Sequence, residues 1–235
     1  MNMSTRSPIA LERTSLTDAL ATALRSVIIG GEIEPGQRLS ATGVAEQFGV
    51  AALTARAGID RLVAEGIVRR DQRGSAYVPR LTADDVTDIY LSRRPIEELA
   101  VVRLADRQQV PDAAERALAA MVGASTNRRY ADHTQADIAM HRALIEATGS
   151  LRLRRMHETV MGEAQLCIAQ VRKHDGLDLV ALTERHADIL TAIRSGNRDA
   201  AVAALAADLD GCRRTLLTDL AAGTAADPNP KEDHD

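Results

Sequence analysis

Aromatic residues are nearly absent from this 235-residue chain: they make up 2%, with no Trp and a single Phe. A core without aromatic bulk must be aliphatic and Ala-rich, which favours close-packed helices over a β-sandwich. Cysteine is equally scarce, and two residues, Cys167 and Cys212, do not make a disulfide framework. No apolar run reaches the roughly 18 residues of a membrane span. The opening residues, MNMSTRSPIALERTS, lack the apolar core of a secretory signal. No membrane partner and a cytoplasmic location are therefore expected. Nucleophile elbow, P-loop, HExxH and dinucleotide fingerprint are missing too, which argues against an enzyme.

What is present is aliphatic and unevenly charged. Apolar residues reach 45% and the net charge is −4. Residues 1–80 carry 10 Lys/Arg against 8 Asp/Glu, whereas the rest carries 19 against 25. A mildly basic first third on an acidic body is compatible with a small DNA-binding module on a larger domain.

Residues 1–14 read as a flexible arm. Leu16, Leu20, Ala23, Leu24, Val27 and Ile28 then recur at helical spacing behind a capping Thr14 or Ser15, until Gly30-Gly31 stops the run. EIEPGQRL (32–39) is a turn around Pro35-Gly36. A short helix follows Ser40 through Val44, Ala45 and Phe48, ended by Gly49. A second spans about 51–65 and is closed by Gly66, with Leu53, Ile59, Leu62 and Val63 assigned to its core side. Strands at 67–70 and 76–79 then alternate as a small hairpin. Helix, helix, helix and hairpin over residues 15–80 make a winged helix-turn-helix.

From 81 to 222 the pattern is all-helical: roughly 83–107, 111–127, 131–148, 151–173, 178–195 and 198–221. Short connections imply an antiparallel six-helix bundle. Residues 223–235 read as a disordered tail. The fold class is thus mainly α, a winged helix-turn-helix followed by a bundle for effector binding and dimerisation.

The order and spacing of PGQRL, VAEQFGV, Arg56, DRLVAEGIVRR and AYV resemble the winged helix of the GntR family of bacterial transcription regulators. IYLSRRPIEELA, ADIAMHRALIEATGS and ERHADILTAIRSGNRDAA resemble the FadR-type (FCD) ligand-binding domain of that family. Six rather than seven helices look more like the VanR subgroup. The departures fall on the reading helix. The family usually places an acidic residue at the position of Ala41, Ser-Arg at Ala51-Ala52, and Glu at Ala57. Its wing glycine is displaced, with Ser75 in that place and Gly74 one residue early.

The DNA-contacting set left by this resemblance is Thr54 and Arg56 on the helix, Thr42 before it, and Arg69, Arg70 and Arg73 on the wing. Arg can read guanine bidentately, while wing arginines suit phosphates, which position without specifying. The plainer reading is that these arginines form a solvated charged face. The expected partner is a palindromic operator bound by a homodimer, with lower specificity than in typical relatives.

Four polar residues interrupt apolar stripes of the bundle. Asp137 and His141 share a helix face at i,i+4, His186 lies among Leu182, Ile189 and Ile193, and Asp208 lies near Leu205 and Cys212. Two imidazoles and two carboxylates converging inside a bundle would suit a divalent metal. The resemblance implies the same, since Asp137, His141 and His186 match three family ligands, and Asp208 stands where the fourth is usually His. The set points to zinc, or to manganese or nickel given the harder carboxylate, unless the metal has been lost. His133, His157, His174 and His234 match no ligand position and read as ordinary core or surface histidines.

Arg93 and Glu97 match a frequent Arg and Glu of the first ligand-domain helix. Arg93 can fork onto a carboxylate effector, or pair with Glu97 as a surface i,i+4 bridge. Pro95 beside them predicts a kink near 91–95. The function expected is a ligand-responsive transcription regulator, usually a repressor, whose bundle binds a small organic acid, either directly or through the metal. The alternative is a ligand-binding paralogue with weakened or lost DNA recognition.

Overall fold

Three helices open the computed structural model, which describes residues 15–171 and 178–226. The expected arm at 1–14, the end of the expected tail, His174 and His234 lie outside those residues. Helix α1 (Leu16–Ile29) starts where Ser15 accepts a hydrogen bond from the Asp18 amide, and buries Leu20, Ala21, Leu24 and Ile28. Helix α2 (Ala41–Phe48) is capped by Ser40 and ends on Gly49, whose φ of 65° is a left-handed conformation that favours glycine. Helix α3 (Ala52–Ala64) packs on α1 and α2.

The wing is a three-stranded antiparallel sheet, with β1 (Arg38–Leu39), β2 (Arg69–Arg70) and β3 (Ala76–Tyr77) in the order β1-β3-β2. Strand β3 is central, pairing Tyr77 with both Arg38 and Arg69. The expected hairpin is β2 and β3, shorter than anticipated. Strand β1 falls in the stretch read only as a turn, because two residues are too few for periodicity to register.

Six helices follow: α4 (Ala83–Asp106), α5 (Asp112–Thr126), α6 (Tyr130–Ala147), α7 (Leu151–Val171), α8 (Leu179–Ser195) and α9 (Arg198–Ala226). Helix α9 continues five residues past its expected end at 221, into the stretch read as a disordered tail. A capping box between Thr82 and Asp85 fixes the start of α4. Pro95, where a kink was expected, does not interrupt that helix. Helix α4 packs on α6, α7, α8 and α9, so its inward residues face four neighbours.

Helix α7 also carries the winged helix. A Cβ on Gly162 would stand 2.1 Å from the Glu65 carbonyl oxygen, so only glycine lets α7 approach the end of α3 this closely. Gly66, with φ of 76°, is equally constrained, since a Cβ there would meet Glu163 Cγ at 2.4 Å. Around this backbone contact, Arg69 reaches Asp85 at 2.9 Å and Glu163 at 3.5 Å. Gln170 accepts from the Leu81 amide and donates to the Pro79 carbonyl, tying down the connecting segment.

Candidate effector site and nucleic-acid interface

The bundle interior is polar where α4, α6, α8 and α9 meet. Helical spacing of four residues brings Asp137 and His141 onto the inner face of α6, and burial of Leu182, Ile189 and Ile193 turns His186 inward from α8. Asp208 comes from α9, and all four side chains are buried. Asp137 Oδ1 lies 3.3 Å from His141 Nε2 and 3.2 Å from His186 Nε2. Asp208 Oδ2 lies 3.5 Å from the first nitrogen and 3.8 Å from the second. The sequence-predicted set is therefore brought together.

Each imidazole is oriented from behind. His186 Nδ1 donates to the Leu182 carbonyl at 2.8 Å, and His141 Nδ1 lies 2.7 Å from Glu97 Oε2, though at a poor hydrogen-bond angle. Occupying both Nδ1 atoms leaves both Nε2 atoms to face the two carboxylates, the arrangement that metal-binding histidines use. A tetrahedral site with bonds of about 2.1 Å separates its ligand atoms by about 3.4 Å, and Asp137, His141 and His186 offer three ligand atoms that all lie within 4.8 Å of one another, with Asp208 at the edge of that set. Asp208 Oδ1 is buried without a hydrogen-bond partner among the described residues, so its lone pairs are free to meet a cation. The residues fit a divalent cation.

Charge accounting agrees. Burial alone would favour neutral imidazoles, but Glu97, Asp137 and Asp208 hold His141 well above the usual histidine range. Burial likewise opposes charge on His186, yet Asp208 and Asp137 raise it. Burial would push Asp137 up, but His186 and His141 draw it well below the usual carboxylate range, and Asp208 moves the same way. Three carboxylates (Glu97, Asp137, Asp208) thus face two imidazoles and the guanidinium of Arg93, and the same carboxylates that favour a proton on each imidazole favour a cation between them.

Arg93 is 3% exposed, so its pair with Glu97 is not a surface bridge. Its Nε donates to Glu97 Oε1 at 2.8 Å, and its guanidinium carbon sits 5.1 Å from the Tyr90 ring centroid. The expected fork onto an effector thus has an internal partner, and the pair stands behind His141. His157 completes that support by donating from Nε2 to Glu97 Oε1 at 3.1 Å, with burial pushing it below the usual histidine range and so neutral. Its role was missed, although His157, Met161, Ala164 and Ile168 form a readable inner stripe on α7. Arg185 was missed as well. Adjacent to His186, it has a side chain one-third exposed and places Nε 3.7 Å from Asp208 Oδ1, so it is the cation joining cluster to surface.

The winged helix distributes its predicted residues unevenly. Thr42, Arg56 and Arg73 are exposed, and Thr54 is half-buried. Arg70 pairs with Asp60 and donates to the Gly74 carbonyl at 2.6 Å. Arg69 is directed into the junction with α4 and α7 instead of outward. Leu53 corrects its assignment to the core side: it is 80% exposed in the first turn of α3. One position further along, Thr54 turns inward and Ala55 is the first fully buried residue of the helix, so the core stripe begins after Leu53.

The FCD domain family matches residues 88–211, and the bacterial regulatory proteins of the gntR family match residues 16–78. The chain belongs to the GntR family. Its FCD half contains the polar cluster, and its GntR half ends with the wing. A GntR transcriptional regulator from Rhodococcus sp. RHA1 is 26% identical, superposes with a TM-score of 0.73, and is covered over 99% of its length by 87% of this chain. Escherichia coli McbR/YncC, at 19% identity and a TM-score of 0.75 over 88% of this chain and 99% of that one, shares the fold. The HTH-type regulator YdhC of Bacillus subtilis (strain 168), itself uncharacterised, is 36% identical over 83 residues, 35% of this chain and 37% of that protein. The chain therefore spans little more than a third of that curated relative. The chain thus joins a GntR-type winged helix-turn-helix domain to an FCD domain, the make-up of GntR-type transcription regulators. No helix among the described residues is long and apolar enough to cross a membrane.

Proposed function

We propose that this regulator is a cytoplasmic repressor that releases a palindromic operator when a small organic acid enters the FCD bundle. The observation carrying this reading is the convergence of Asp137, His141, His186 and Asp208 in a buried cluster one helix away from the winged helix. These four residues would hold a divalent metal, with zinc, manganese and nickel the candidates for a set of two imidazoles and two carboxylates. When bound, the ion supplies positive charge that attracts an effector carboxylate. Arg185, reaching from the cluster to the surface, meets the same anion, while Arg93, Glu97 and His157 hold His141 in place. An effector shifts the operator equilibrium only by its preference for the released form.

Homodimerisation through α4 belongs to the same reading. Leu91, Pro95 and Leu99 are exposed at i, i+4 and i+8, forming one apolar stripe that the chain itself does not cover. Two winged helices held by such a pairing would meet half-sites about one DNA turn apart. The thinned face of α3 favours a second reading, a ligand binder without sequence-specific DNA binding.

The two are separated by mapping genomic fragments retained by the protein with and without candidate carboxylates. Enrichment of discrete palindromes, lost on adding one acid, is the expected result. Fragments retained no better than random DNA would overturn the regulator reading in favour of the second. Elemental analysis of untagged protein, with Asp208→Ala and His186→Ala as controls, tests the metal. No bound metal, and no thermal shift with Zn²⁺, Mn²⁺ or Ni²⁺, would remove it from the proposal.

A further inference from the structure

Leu53 has no structural reason to be where it is. It belongs neither to the hydrophobic core nor to the partly buried residues packed on it. Its neighbours Ala51 and Ala52 are exposed as well, so the exposed side chains at the start of α3 are apolar. Arg56, three residues on, shares the outward face with Leu53. That guanidinium forms no ion pair among the described residues, and the nearest acidic residue on this face, Asp60, is held by Arg70. The leading end of the helix therefore presents an apolar patch beside one free cation.

We infer that Leu53 is a specificity-determining residue that reads thymine, through its C5-methyl group, next to a guanine held by Arg56. The inference rests on the DNA-binding reading above and supplies its sequence class. The first turn of a recognition helix is the part that meets base edges in the major groove. Along that groove, hydrogen-bond donors and acceptors offer leucine nothing, and the thymine methyl is the apolar group it can cover. Ala52 and Ala51 extend the same methyl surface without obstructing it. Arg56 suits the O6 and N7 acceptors of guanine. The three residues from Leu53 to Arg56 rise about 4.5 Å along the helix, between one and two base-pair steps of about 3.4 Å. The half-site is thus a guanine with thymine one or two base pairs away, on either strand. Apolar discrimination of this kind is weaker than bidentate hydrogen bonding, so the helix selects composition around one fixed base.

The test uses the full-length protein and a random duplex library. Enriched duplexes are resynthesised with deoxyuridine in place of each thymine in turn, which removes the C5-methyl and leaves the pairing edge intact. Wild-type binding is expected to weaken about fourfold for each contacted methyl. The Leu53→Ser variant should be indifferent to the same replacement, and Leu53→Met should keep the wild-type response. Equal binding of thymine and deoxyuridine duplexes at every position would overturn the inference while leaving DNA binding intact. So would unchanged thymine sensitivity in Leu53→Ser, or loss of the dimer in that variant by sedimentation, which would make the leucine a protein contact. Failure to enrich any duplex over the starting library would instead overturn the DNA-binding reading itself.

Discussion

The outer face of α3 and the inner faces of α4, α6, α8 and α9 invert the ordinary distribution of polarity. The recognition helix exposes alanine and leucine where a surface is usually charged. The bundle buries imidazoles, carboxylates and a guanidinium where a core is usually aliphatic. Neither choice helps the free protein fold. An exposed leucine gains nothing from water, and buried ions must be compensated by each other. On the proposed function, both inversions fall where a partner would complete the surface: DNA at one end, a cation and an acid at the other. The short junction of Gly162, Gly66 and Arg69 lies between them.

The contrast is sharpest in stability, and the largest effect is expected inside. Glu97→Ala leaves Arg93 buried without its carboxylate and takes away the group behind His141 and His157. A loss of about 3–5 kcal/mol on denaturant unfolding of the metal-free protein is expected. A change under 1 kcal/mol would mean the cluster is not held as a charge network. The junction comes next. Gly162→Ala drives a Cβ into the Glu65 carbonyl, and overpacking against backbone should cost about 1–3 kcal/mol. It should also increase protease cleavage near residues 79–82, and unchanged cleavage would show that α7 does not hold the winged helix.

Arg56→Ala should leave stability unchanged but weaken binding to an enriched duplex by about 1–3 kcal/mol, the worth of one bidentate base contact. Equal losses on enriched and random duplexes would reduce Arg56 to a phosphate contact. The smallest effect is outermost. Leu53→Ser should move unfolding by no more than about 0.5 kcal/mol, as for a surface residue without a packing role. A larger loss would show that Leu53 contributes to the fold and would blunt the contrast.

Much of this was legible beforehand. The six bundle helices begin and end close to their expected positions, because Gly, Pro and capping residues punctuate a strong 3.6-residue period. Asp137, His141 and His186 were legible because each interrupts an apolar stripe. Leu53 was not, since residue type argued for burial while its place in the first turn, one residue ahead of the core stripe, decided exposure. Arg69 looked like its wing neighbours, and only the approach of α7 turned it into a junction residue. His157 had a readable stripe but no partner in sequence, because Glu97 lies 60 residues away.

The sequence by itself determined the helices, the two-part organisation and the identity of the polar groups gathered inside the bundle. These depend on local spacing and capping, which act over a few residues. Tertiary structure decided which charges meet. It placed Arg93 on Glu97, Glu97 between two histidines, Arg185 on Asp208 and Arg69 on Asp85. Electrostatic partnership depends on distance through space, and helices far apart in sequence reach it only once the apolar faces have packed.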